Sequence, residues 1–282
     1  LETRIEMSPK KVEKAAARLR FSRRGMGVPV TFMTLFVSLT LVTLATYHLG
    51  LVRINAEGSE LEILTAKQAA SSADELIGFV AWSPGSREVG LLKDFGGWFR
   101  VDPGGKRLVI KVTGGDLSDT VFNSTIGEVV LELAPARAHN SYYLRGDSRV
   151  ILNLSSSTMT RMRLAPGEMS QEITLCYRPL ASSSLDGWDD GGRPLNSLRV
   201  YVISLNSSQS ISLRGDFYLE AACVNVVSVL RSYNLTSQVD SLTVEADLGG
   251  IQGAVSVPVS SSPEGATVNV ETVICGVQLQ RV

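Results

Sequence analysis

From residue 25 to residue 52 the chain reads GMGVPVTFMTLFVSLTLVTLATYHLGLV, without one Asp, Glu, Lys or Arg. No other feature restricts the possible folds so strongly. About 20 apolar residues cross a hydrocarbon core as a helix, so this run is long enough to span one with some tilt. It exceeds the apolar core of about 7–15 residues of a secretion signal, and no small-x-small cleavage site follows it. The expectation is a membrane-crossing or self-packing helix that stays part of the protein. Pro29 suits the first turn of such a helix, where a missing N–H costs nothing. Thr31, Thr34, Ser38, Thr40, Thr43 and Thr46 recur through the run, and their hydroxyls can bond back to helix carbonyls or across to another helix.

Charge falls unevenly on either side of this run. Residues 1–24 hold eight Lys/Arg against three Glu, whereas the 282-residue chain has a net charge of −1. A basic head before an apolar span and an acidic body after it is the arrangement of a helix with its amino terminus in the cytoplasm and its body exported. Beyond residue 52 the helix pattern continues. Leu61, Leu64, Leu76 and Val80 fall at helical spacing with Ala69 and Ala73 between them, and Glu60, Glu62, Lys67, Asp74 and Glu75 supply polar faces. Gly58 is a place for a kink, and WSPGS at residues 82–86 is a stop. The organisation expected is a basic leader over 1–25, an apolar helix over 26–52, an amphipathic continuation over 53–81 and a head over 87–282.

Within the head the period changes to two. WFRVDPGGKRLVIKV reads as strand, tight turn and strand, and TRMRLAPGEMSQEITLCYRP as a hairpin around Pro166 and Gly167. GEVVLELAP, SRVILNLSS, SLRVYVISLN, DFYLEAACVNVVSVL, SLTVEADLGG, GAVSVPVSS and ATVNVETVICGVQLQ add further Val/Leu-rich strands. The fold expected is mainly β, an antiparallel β-sandwich carried on one long N-terminal α-helix. SSSLDGWDDGGRP, residues 182–194, reads as a polar loop. It marks either a boundary between two β subdomains or one surface loop in a single domain.

Four Asn-x-Ser/Thr sequons, at Asn123, Asn153, Asn206 and Asn234, all lie in the head and none before the apolar run. They are glycosylation candidates on an exported surface. Cys176, Cys223 and Cys275 sit in β-like apolar contexts. They read as buried small hydrophobes or as one disulfide plus a free thiol, with the pairing open.

Catalytic signals are sparse. The two histidines are His48 in the apolar run and His139 in a loop, and no nucleophile elbow lies near His139. Gly104-Gly105-Lys106 lacks the remaining residues of a phosphate loop and suits a turn. Asp186, Asp189 and Asp190 miss the alternation of a calcium loop, and no close Cys/His pair suggests zinc. No cofactor or metal is implied. No basic–aromatic cluster in the head points to nucleic acid, and the basic leader suits lipid headgroups. The chain does not read as an enzyme.

With Arg23, Arg24 and Gly25 before the uncharged run that starts at Met26, then an amphipathic helix and a β-rich head, the chain resembles the type IV pilin superfamily, its archaeal pilin-like members in particular. The resemblance implies a leader cut between Gly25 and Met26 by a dedicated peptidase. It implies assembly of a cell-surface filament through the apolar helices, with adhesion as the filament's role. Phe32, Leu35, Leu39, Val42, Leu61, Leu64 and Leu76 would be the packing residues, and the partners would be copies of this chain or other pilin-like subunits. One departure is Val30, at the fifth position after the cut, where many bacterial pilins carry Glu. The alternative expectation is a permanently anchored surface ectodomain that binds a partner or ligand without forming a filament.

Overall fold

The computed structural model describes residues 27–134, 141–153, 156–167, 170–189 and 191–282. Contacts divide the chain into two units, one ending at Gly58 and one comprising Ser59–Val282. One helix, α1 (Gly27–Val80), contributes to both, and Gly58 does not interrupt it.

The first unit holds the apolar part of α1. Val30–Ile54 is long and apolar enough to cross a membrane, and none of it is buried within the chain. Five of its hydroxyls are satisfied internally: Thr34, Ser38, Thr40, Thr43 and Thr46 each donate to the carbonyl four residues back, at 2.7–3.0 Å. In a medium without water every polar group needs such a partner.

In the second unit, residues 60–80 of α1 join fifteen strands in three sheets among the described residues. The first sheet runs β1 (Arg87–Leu92), β12 (Phe217–Leu235), β15 (Ala266–Arg281), β10 (Pro194–Ser204), β9 (Leu180–Trp188). The second runs β11 (Ile211–Leu213), β2 (Trp98–Asp102), β5 (Glu128–Leu133), β8 (Gln171–Tyr177), β7 (Thr160–Pro166), β6 (Tyr142–Arg145). The third runs β14 (Ile251–Pro258), β13 (Ser241–Leu248), β3 (Arg107–Gly114), β4 (Leu117–Thr125). Pairing is antiparallel except between β10 and β15, which run parallel. The head is thus mainly β and sandwich-like, with a mixed first sheet.

That first sheet serves two cores. Cys275, Val277 and Leu279 of β15 pack with α1 and the second sheet, whereas Val268 and Val270 of the same strand pack with the third sheet. Successive strand side chains point to opposite faces, so odd and even positions of one strand feed different cores. β10 does the same: Leu198, Val200 and Val202 face the third sheet, and Ile203 faces the helix side.

Three local expectations are corrected. Residues 98–114 do form strand, turn and strand, but β2 and β3 do not pair. Phe99 and Val101 belong to the helix-side core while Leu108, Ile110 and Val112 belong to the other, so the turn hands the chain from the second sheet to the third. Of residues 148–156, those described form no ladder strand; Leu152 makes a single bridge to Leu180. The buried Arg178 guanidinium donates to Arg149 O in that segment at 3.0 Å, and to Thr158 O just beyond it at 3.0 and 3.2 Å. Residues 182–188 are not loop but part of β9, paired with β10; the turn is confined to the residues that follow.

The third sheet ends in the tight β13–β14 hairpin through Gly249 and Gly250, with φ of 60° and 85°. Two consecutive positive φ values define the hairpin turn whose twist matches its strands, and glycine adopts them without steric cost.

Candidate functional site

The helical segment 60–80 is the part of α1 that the head holds. Ala66, Ala69, Ala70, Ala73, Ile77 and Val80 are buried in the helix-side core, with Leu76 beside them. Four alanines on one face let the helix backbone approach the sheets closely. Leu76 lies over Gly90 of β1, where a Cβ atom would stand 2.9 Å from Leu76 Cδ1.

Asp74 is the one buried charge on this helical face among the described residues, 5% exposed. Its carboxylate accepts from Tyr177 Oη and Thr160 Oγ1, each at 2.8 Å, and pairs with Arg145 Nη1. Three strands, β6, β7 and β8, therefore converge on one helical carboxylate. A buried carboxylate is tolerated when its lone pairs are filled in this way. Burial, with the adjacent Asp74 charge adding to it, pushes the Tyr177 phenol well above its ordinary value. The phenol thus stays a donor.

Trp82 follows the helix end in the left-handed region, φ 69°, the place glycine usually takes after a helix. Its backbone N–H donates to Cys275 Sγ at 3.3 Å and its ring meets Tyr201 edge-on at 5.6 Å. These contacts hold the helix end against the first sheet.

Of the residues expected to pack helices, Leu76 is buried within the head. Phe32, Leu35, Leu39, Val42, Leu61 and Leu64 are each at least 60% exposed in the single chain. The processing residues Arg23, Arg24, Gly25 and Met26 lie outside the described residues, as do His139 and Asp190. The sequon residues Asn123, Asn153, Asn206 and Asn234 are all exposed. Asn123 Oδ1 also accepts twice from Arg107, and Asn153 Nδ2 donates to Ser256 O. The three cysteines are free and buried. Cys223 and Cys275 sulfurs lie 3.7 Å apart as neighbouring thiols, while Cys176 sits in the other core.

Asp189 organises a turn, accepting from the Gly191 and Arg193 amides and the Arg193 and Thr267 side chains. Asp186 is exposed and accepts from Ser184 Oγ. Among the described residues no three His, Cys, Asp or Glu side chains form a metal-binding group.

The sequence reading missed the Asp74–Tyr177–Thr160–Arg145 cluster. Its one signal is an acidic residue between Ala73 and Leu76 on the apolar side of an amphipathic helix. Comparison with protein-family models, curated proteins and solved structures gives no significant match to this chain.

Proposed function

We propose that this chain is a structural subunit of an extracellular filament of the type IV pilin kind, assembled through its N-terminal apolar helix, with the β-rich head outside the cell. The observation that carries this reading is the division of labour along α1. Val30–Ile54 exposes all of its apolar side chains, while residues 66–80 are built into the head. A chain that commits the end of its helix to its own core and leaves the beginning bare needs another environment for that beginning. Phe32, Leu35, Leu39 and Val42 recur at three- and four-residue spacing, the pattern of a helix-packing seam. Copies of this chain, or other pilin-like subunits, are the partners this seam fits, with membrane lipid as the medium before assembly. The head has no catalytic role in this reading, and the exposed sequons decorate the filament surface.

The second reading, a permanently anchored surface ectodomain, is favoured by two observations. Five hydroxyls of the apolar helix bond within the helix itself, which leaves those five without need of a neighbouring subunit. Residue 30 is Val rather than the Glu that would meet a neighbour's amino terminus.

The double substitution Arg24→Ala with Gly25→Val separates the two readings. The filament reading predicts that the mature protein becomes larger by the leader and that filaments disappear from electron micrographs of the cell surface. Unchanged size and amount of the surface protein would overturn it.

A further inference from the structure

The second sheet has a face turned away from α1. Met162 and Leu164 of β7 pack into the helix-side core, so Arg161 and Arg163 project from the opposite face. Register places Arg161 beside Cys176 and Arg163 beside Thr174 on β8. These four side chains, with Lys106 and the β13–β14 hairpin tip at Gly249, line a cavity of about 100 Å³.

Three cations meet there, and the described lining includes no acid. Lys106 Nζ pairs with Glu128 Oε2 at 3.2 Å. Neither Arg161 nor Arg163 forms an ion pair among the described residues. Arg161 is 6% exposed. Its side-chain partner is Tyr143, through the hydroxyl at 3.2 Å and the ring centroid at 5.6 Å. A guanidinium carries five N–H donors, and a buried charge without a counter-ion is costly. The tyrosine stack offsets part of that cost and supplies no negative charge. Arg163 Nη2 donates to Ser141 Oγ at 3.0 Å.

The cavity has room for one tetrahedral oxyanion. Planar guanidinium forks match such an anion's oxygens, and the Thr174 hydroxyl adds a donor. We propose that the Lys106–Arg161–Arg163 cavity binds a single tetrahedral oxyanion of the phosphate or sulfate type, free or as the terminal ester of a larger molecule. The Cys176 thiol does not compete with it, because burial pushes its pKa up to about 11 and keeps it neutral. The site lies within the head and stands whether or not the chain forms filaments.

Calorimetric titration of the full chain in detergent, at constant ionic strength, tests this with inorganic phosphate, sulfate and glycerol phosphate as probes. Saturable binding to one site per chain is expected. Arg161→Gln alters a buried charge, and Lys106→Gln strips the buried Glu128 carboxylate of its partner, so both change the fold's stability and the deciding variant is Arg163→Gln, at a less buried position. It is expected to keep the wild-type circular dichroism and melting transition and to bind about tenfold more weakly. Binding of glycerol phosphate alongside the free ions assigns the site to a phosphorylated or sulfated molecule. Binding of the free ions alone assigns it to the anion itself. Absence of saturable binding, or unchanged affinity in well-folded Arg163→Gln, would overturn the proposal.

Discussion

The Tyr177 hydroxyl donates a 2.8 Å hydrogen bond to Asp74 Oδ1, joining strand β8 to helix α1 across 103 residues of sequence. Both groups are buried, 4% and 5% exposed. Thr160 and Arg145 complete the carboxylate's shell. Asp74→Ala leaves two buried hydroxyls and the half-exposed Arg145 guanidinium without their acceptor and is expected to cost about 2–4 kcal/mol. Tyr177→Phe removes one bond and is expected to cost about 1–2 kcal/mol. Denaturant unfolding of the head, followed by near-ultraviolet circular dichroism, measures both. Equal and small losses would show that the carboxylate is not what ties the helix to the second sheet.

The contact between Leu76 and Gly90 predicts a compensating pair. Gly90→Val drives a side chain into Leu76 and is expected to cost about 1–3 kcal/mol by overpacking. Leu76→Ala alone is expected to cost about 2–5 kcal/mol through the cavity it leaves. The double variant should be more stable than the sum of the two losses predicts. Strict additivity in a double-mutant cycle would mean that the two residues do not touch.

Acid sensitivity should centre on Asp147. Hydrogen bonding from Arg149, with Arg178 adding to it, holds this carboxyl well below the usual carboxylate range. A depressed folded-state pKa gives stability that is present above the unfolded value of about 3.9. That stability is lost as pH falls through the folded value. The gap in stability between wild type and Asp147→Asn should be constant above about pH 5 and shrink on acidification. A gap independent of pH would contradict the Asp147–Arg178 assignment.

The thiols give a chemical test of the two cores. All three are buried, and burial pushes Cys176 and Cys275 up to about 11. Thiolates are the reactive form, so native protein at mildly alkaline pH should resist alkylation and denatured protein should take three labels per chain. A denatured, unreduced sample that takes one label would reveal a disulfide between the neighbouring Cys223 and Cys275.

The fold's outline was legible where the periodicity was long and clean. The α1 stop at WSPGS, the β7–β8 hairpin and β5 follow from local pattern alone. Assignment of strands to sheets does not. In β15 the buried set shifts from Val268 and Val270 to Cys275, Val277 and Leu279, a change of phase visible in the sequence only as the apolar pair Val273 and Ile274. That phase change lets one sheet serve two cores. β2 and β3 join different sheets although a turn connects them. SRVILNLSS looks like a strand because it carries Val150, Ile151 and Leu152, which are buried, yet Arg178, some 25 residues on, takes the neighbouring Arg149 carbonyl. Ser-rich β9 looks like a loop because it is an exposed edge. Asp74 and Arg161 were missed for a related reason: a single charge in an apolar pattern reveals its partners only when distant strands come together.

The most direct test of a filament subunit is the amino-terminal residue of the mature protein, read by mass spectrometry of cell-surface and membrane fractions. The account predicts a chain that begins at Met26, with the basic residues 1–25 removed. A surface protein that retains its basic leader would contradict it and leave a membrane-anchored ectodomain.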